Sequence, residues 1–189
     1  MEELKRRILA EGRNLGHGIL KVDGFINHQI DPRLMAAAGK EFAARFAETQ
    51  PDKILTAEIS GIAPALMTGM EMGVPVVYAR KSKPVTMTAD IYLTVSPSHT
   101  KGHLTELMVS PEFLGAGERV LIIDDFLASG LTIMALARLV KAAGAELVGI
   151  GALVEKSFEA GRELLSILDV PVEALAVVTD MSEGKLELA

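Results

Sequence analysis

Along most of this chain, short continuously apolar runs alternate with stretches of helical spacing, and that alternation narrows the fold more than any single residue does. "KILTAE", "VPVVYAR", "RVLIID", "ELVGIGALVE" and "VEALAVVTDM" read as strands. "APALMTGMEMG", "GLTIMALARLVKAAG" and "AGRELLSILD" fall between them with the period of a helix. A strand apolar on successive residues is covered on both faces. Strands and helices in this order therefore predict an α/β fold, a mostly parallel sheet flanked by helices. In such sheets ligands bind beyond the carboxyl ends of the strands.

The remaining segments add to this frame. "EELKRRILAEG" reads as a short opening helix. "DPRLMAAAGKEFAARFAETQ" is a longer one: Asp31 can cap it, Pro32 suits its first position, and Leu34, Ala38, Phe42 and Phe46 keep helical spacing. From Thr86 to Val109 the texture changes to two alternating β arms around the turn-rich "SPSHTKG". No repeat or linker interrupts the chain, and 189 residues suit one domain over residues 1–189.

Composition excludes several classes. With no cysteine there is no disulfide, thiolate metal site or cysteine nucleophile, which fits a reducing cytoplasm. The opening "MEELKRRILAEGRN" lacks the apolar core of a signal peptide, and no run approaches the ~18 apolar residues of a membrane span. A net charge of -6 argues against nucleic acid and anionic membranes as partners. A polyanionic small molecule would have to be met by local devices: backbone amides, a helix N-terminus and a few placed cations.

One stretch supplies such devices. "VLIIDDFLASGLT", Val120 to Thr132, runs an aliphatic strand into two acids, where like charges repel and desolvation is costly. At a strand end the acids are expected to be solvated. Small residues follow and open directly into a helix. Ala128, Ser129 and Gly130 permit close backbone approach, and Ser129 and Thr132 add hydroxyls. Amides converging with the positive end of a helix dipole make an anion site, most naturally for a phosphate monoester. Asp124 and Asp125 would repel phosphate but can accept from sugar hydroxyls or hold a hydrated Mg²⁺. Together these describe a ribose-phosphate site.

This stretch resembles the motif with which type I phosphoribosyltransferases bind 5-phosphoribosyl 1-diphosphate (PRPP). One departure is Leu131, where many members carry Gly; the backbone amide survives it. The resemblance implies an enzyme whose PRPP-binding residues are Ala128, Ser129, Gly130, Leu131 and Thr132, with Asp124 and Asp125 as the catalytic pair. It also implies that "AEISGIA" holds pyrophosphate through Ser60 and Gly61, with Glu58 nearby, and that "ARKSKPVTM" brings Arg80, Lys81 and Lys83 towards a diphosphate. Lys81 is the strongest candidate of the three. The arm at about 84–109 would be the family's flexible hood, and residues 1–30 a small N-terminal hood over the base.

Members differ chiefly over the base. "GILKVDGFINHQIDP" is similar to the branch that acts on xanthine in bacterial purine salvage, and the similarity extends over essentially the whole chain. It implies that Leu20, Asn27 and Lys156 contact the purine. A Lys ammonium suits the C6 oxygen of a 6-oxopurine, and an Asn side chain can donate or accept at another edge. Phe25 and Phe126 are candidates to stack on the ring. The implied reaction displaces pyrophosphate from C1 of PRPP by a purine ring nitrogen, with inversion and with Mg²⁺ carried mainly by PRPP. The partners implied are PRPP, a purine base and a second copy of the chain in a homodimer.

Alternatives stay open: the same chemistry on hypoxanthine, guanine or another base, or a PRPP-sensing regulator. The acidic balance and the small N-terminal segment argue against DNA binding by such a regulator. His17, His28, His99 and His103 have no metal-ligand spacing, and His99 and His103 flank Lys101 on the arm, where they can meet leaving pyrophosphate.

Overall fold

The computed structural model describes residues 1–97 and 104–189. The chain opens with helix α1 (Glu2–Glu11), a two-residue ladder between β1 (Arg13–Asn14) and β2 (Leu20–Lys21), and a π-helical turn at Asp23–Asn27. Helix α2 (Pro32–Arg45) leads to β3 (Lys53–Ala57), α3 (Ile62–Met72) and β4 (Val76–Ala79). Next come β5 (Tyr92–Pro97) and β6 (Leu104–Val109), an antiparallel pair that forms a sheet of its own. The chain closes with β7 (Arg119–Leu127), α4 (Leu131–Ala142), β8 (Glu146–Lys156), the short α5 (Gly161–Leu165), β9 (Val172–Asp180) and β10 (Glu187–Leu188).

The main sheet has the order β10-β9-β8-β7-β3-β4. All its pairings are parallel except that of β10, which caps one edge. This is the sheet expected from the alternating pattern. Side chains on successive strand residues point to opposite faces, and the aliphatic runs fill two cores accordingly. Ile54, Leu121 and Ile123 join Leu34, Phe42 and Phe46 from the α2 side. Leu55, Val120 and Ile122 join Leu136, Leu139 and Val140 of α4.

Local chemistry sets the helix ends. Asp31 accepts from the amides of Arg33 at 3.0 Å and Leu34 at 3.1 Å, the cap expected for α2. Gly73 ends α3 at φ 71°, a left-handed cap that costs glycine little. Residues 1–30, expected to form a hood, are part of the core: Leu4, Ile8, Leu20, Val22, Phe25 and Ile26 enter the same cluster as α2. Among the described residues, no helix is long and apolar enough to cross a membrane.

Two expectations need correction. Strand β7 does not stop at Asp124 but continues to Leu127, with Asp124 in register beside Ala152 and Phe126 beside Val154. Asp124 is therefore not a solvated strand-end acid; it is only 5% exposed. The neighbouring strand supplies the cause, since β8 runs on to Lys156 and carries β7 with it.

Candidate functional site

A cleft of about 870 Å³ opens beyond the carboxyl ends of the parallel strands. It brings together nearly every residue the sequence singled out: Ser60, Gly61, Lys81, Asp124, Asp125, Ala128 to Thr132, Lys156 and Leu20. The hairpin of β5 and β6 contributes Ser96, Thr105 and Leu107 to its wall. His99 and His103 lie outside the described residues.

At the floor, the turn from β7 into α4 is made by Ala128, Ser129 and Gly130. Gly130 sits at φ 77°, a left-handed conformation that disfavours any Cβ, and its carbonyl accepts the first helical bond from Met134 at 2.9 Å. Leu131 then begins the helix, so its amide and the next few have no partner within α4. A leucine in this place changes the side chain but not the donor. The turn therefore aims backbone donors and the positive end of a 12-residue helix into the cleft.

The two acids differ sharply. Burial first, and then the charge of Asp125 beside it, push the Asp124 carboxyl well above its ordinary value of 3.8. Asp124 Oδ1 accepts from the Asp125 amide at 3.0 Å, and Asp125 Oδ1 accepts from the Phe126 amide at 3.0 Å. Asp125 Oδ2 accepts from Asn27 Nδ2 at 2.8 Å, a bond spanning 98 residues of sequence. Asn27 thus ties the N-terminal segment to the acid pair. A contact from Asn27 to a base would have to use its other amide atom or exchange this bond.

Across the floor, Gly61 packs against Asp124. A Cβ on residue 61 would lie 2.6 Å from Asp124 Oδ1 and would collide with the Thr56 hydroxyl, so no larger residue fits. The preceding loop carries a cis peptide between Glu58 and Ile59. Glu58 pairs with Arg80 at 2.5 Å and accepts from the Lys81 amide at 3.0 Å, which fixes where the basic segment leaves β4. Lys81 reaches the cleft wall. Lys83 does not line it and donates to the Ala89 carbonyl at 3.2 Å instead.

At the other end, Lys156 is the last residue of β8. Its ammonium donates to the Gly18 carbonyl at 2.6 Å, lies 3.5 Å from Glu159 and stands 5.5 Å from the centroid of the Phe126 ring. Phe126 is partly buried and faces the cleft, whereas Phe25 is wholly buried, with the Arg7 guanidinium 4.9 Å over its ring. Phe25 is thus core and does not reach a ligand; the core face of the N-terminal segment claims it.

Sequence reasoning missed His17, Gly18, Phe158 and Glu159, which also line the cleft. The first two had a readable signal. Gly16, His17 and Gly18 are all left-handed, at φ 81°, 50° and 71°, and a residue flanked by two glycines marks such a turn. Phe158 and Glu159 follow β8 in a loop whose direction no local pattern reveals.

The arrangement can seat an anion at the α4 turn, accept from hydroxyls at the two acids and face a flat polar ring with Lys156 and Phe126. Comparison with known proteins identifies the family. Residues 27–171 match the phosphoribosyl transferase domain family. The xanthine phosphoribosyltransferase of Deinococcus deserti is 53% identical over 184 residues, 97% of this chain and 95% of that protein. That of Geobacillus thermodenitrificans is 48% identical over the same shares. Among solved structures, the adenine phosphoribosyltransferase of Giardia lamblia complexed with 9-deazaadenine superposes with a TM-score of 0.77 over 94% of this chain and 98% of that one. At 19% identity that likeness shows the fold alone. The cleft, the fold and the match over most of its length place this chain in the phosphoribosyl transferase domain family.

Proposed function

We propose that this enzyme transfers the 5-phosphoribosyl group from PRPP to xanthine, giving xanthosine 5'-monophosphate and pyrophosphate. The observation that carries the reading is one cleft with an anion-binding turn at one end, an ammonium beside an aromatic ring at the other, and two acids between. The identity over nearly the full length to proteins named for xanthine supports the base.

In this reading the amides of Ala128 to Thr132, with the Ser129 and Thr132 hydroxyls, hold the 5'-phosphate. Asp124 and Asp125 accept from the ribose hydroxyls and favour positive charge developing at C1 as the bond to pyrophosphate breaks. The backbone at Ser60 and Gly61, with Lys81, meets the departing diphosphate. Lys156 faces the C6 oxygen, and Leu20 and Asn27 border the base. Most of the rate then comes from positioning and charge stabilisation, and no covalent protein nucleophile is required.

The donor set fits a Mg²⁺ ion carried by the substrate. Asp124 and Asp125 are the cleft carboxylates that would face such an ion, and Mg²⁺ would supply charge neutralisation. Its charge would offset that of the departing diphosphate. The chain also exposes Leu66 at 53% and Met70 at 63%, four residues apart on α3, which supports pairing with a second copy. Light scattering is expected to give twice the chain mass.

The test is a PRPP-dependent assay with xanthine, guanine, hypoxanthine, adenine and orotate, with and without Mg²⁺. The expected order is xanthine, guanine, hypoxanthine, with adenine and orotate negligible. Equal kcat/KM for hypoxanthine and xanthine would overturn the choice of base, and no PRPP-dependent transfer to any base would overturn the reaction.

A further inference from the structure

The phosphate turn does not stand alone: its backbone rests on the backbone of Gly161. A Cβ on Gly161 would collide with the Ala128 carbonyl oxygen and come within 2.9 Å of the Gly130 nitrogen and of Leu127 Cδ1. A Cβ on Gly130 would come within 3.0 Å of the Gly161 oxygen and 3.1 Å of its Cα. Two main chains in contact transmit position directly, because no side chain lies between them to absorb a shift.

Gly161 begins α5, a helix too short to hold itself in place. Its neighbour Arg162 anchors it. Nε of Arg162 donates to Glu155 Oε1 at 2.7 Å and Nη2 donates to Oε2 at 2.5 Å, a bidentate fork on a carboxylate that is only 3% exposed. Nη1 donates to the Val172 carbonyl at 2.9 Å, where β9 begins. Glu155 is itself fixed in β8, in register with Leu127, the last residue before the turn. It also precedes Lys156, so adjacent residues of one strand serve opposite ends of the cleft.

We propose that Glu155, Gly161 and Arg162 form a positioning strut beneath the phosphate turn. They set the spacing of the amides at Ala128 to Gly130 and so the affinity for PRPP, without touching substrate. An ion pair between a buried carboxylate and a half-exposed guanidinium is weak evidence of stabilisation on its own, since desolvation of Glu155 opposes the attraction and solvent screens Arg162. Its rigidity is what the turn can use. The proposal rests on the PRPP reading of that turn.

The test compares Arg162→Gln and Arg162→Lys with Leu165→Ala, a buried α5 residue outside the fork. The strut acts on the 5'-phosphate, which takes no part in bond breaking, and on this proposal the contact is made alike in ground and transition states. Loosening the turn then raises KM and spares kcat. Arg162→Gln is expected to raise KM for PRPP at least about fivefold, with kcat and KM for xanthine within about twofold of the parent. Arg162→Lys keeps the charge but loses the fork and should fall between. Leu165→Ala should lower the melting temperature and leave KM for PRPP unchanged. An unchanged KM in Arg162→Gln, or an equal rise in Leu165→Ala, would overturn the strut. Calorimetric titration of ribose 5-phosphate into the same proteins separates the two claims. If the parent binds ribose 5-phosphate but transfers nothing to any base, the reaction fails; if Arg162→Gln then binds it as tightly as the parent, the strut fails as well.

Discussion

The end of the cleft at the start of α4 comes from a single stretch of chain, Ala128 to Thr132, whereas the end around Lys156 is gathered from Gly18, Leu20, Phe126, Lys156 and Phe158. The phosphate half works mainly through backbone: a left-handed glycine, a turn and the unpaired amides of a helix start. The base half works through side chains whose neighbours are far apart in sequence, such as Lys156 on the carbonyl of Gly18, 138 residues away. Backbone donors recognise any phosphate ester. Side chains on separate segments can be exchanged one at a time, so the proposed function places discrimination between bases there. The acids sit where the halves meet, and Asp125 is bonded to Asn27 of the N-terminal segment.

The largest effect should come from breaking that meeting point. Asp124→Asn with Asp125→Asn removes both charges and is expected to lower kcat at least about 100-fold while the chain stays folded. Near-normal turnover by a folded double variant would remove the acids from the mechanism. Asp124 alone has a second signature. Its carboxyl is pushed above 3.8 by burial and then by Asp125. Above the raised value the folded chain holds a charge that the unfolded chain solvates freely, which costs stability. As pH falls through the raised value the folded state takes up the proton first, and the cost is relieved until the unfolded carboxyl also protonates near 3.8. Asp124→Asn should therefore raise the melting temperature at neutral pH, with the gain fading towards about pH 4. Scanning calorimetry across that range checks it, and a gain that grows as pH falls would reverse the sign.

The same contrast explains what could be read from the sequence. The strand-turn-helix geometry of the proposed phosphate half was legible because it is local: strand, acids, small residues and helix start follow one another in thirteen residues from Val120 to Thr132. The parallel sheet was legible because both faces of each strand are buried, which writes continuous apolar runs. The burial of Asp124 was not, because it depends on β8 extending as far as Lys156 and on Gly61 pressing from another loop. Nor was the placement of Phe25, since a phenylalanine near a ligand site and one beneath it look alike in a string. The short ladder of β1 and β2 and the edge strand β10 have two residues per strand, too few to show a period.

Breaking the base half should come next in size. Lys156→Ala removes an ammonium, and a hydrogen bond to a charged group contributes roughly 1.5 to 3 kcal/mol. That corresponds to about 10- to 100-fold in kcat/KM for xanthine, guanine and hypoxanthine together, with KM for PRPP nearly unchanged. A fall confined to xanthine would move Lys156 away from the C6 oxygen. In the phosphate half, Ser129→Ala and Thr132→Ala each remove one neutral hydroxyl among several amides. Each should raise KM for PRPP by about three- to tenfold with kcat unchanged. A drop in kcat with KM unchanged would mean that these hydroxyls act on the reacting centre.

The most informative change is Asn27→Ala, because Asn27 is bonded to Asp125 and is also proposed to border the base. Its amide nitrogen is already engaged by Asp125 at 2.8 Å, so truncation leaves that carboxylate oxygen without its donor and free to turn. A neutral donor lost to a carboxylate acts on every substrate alike, and kcat should fall by about three- to tenfold whichever base is offered. If Asn27 also reads the C2 substituent of the purine, the loss falls hardest on xanthine, and the ratio of xanthine to hypoxanthine kcat/KM narrows as well. The two contributions separate cleanly: a common drop in kcat reports the tie to Asp125, and a changed ratio reports contact with the base. Both are expected, with the common drop the larger. Asn27→Asp sharpens the distinction, since it places a third carboxylate beside Asp125 and should depress kcat for all bases further than alanine does. A variant in which kcat is untouched and only the ratio moves would show that the bond to Asp125 gives way when substrate binds.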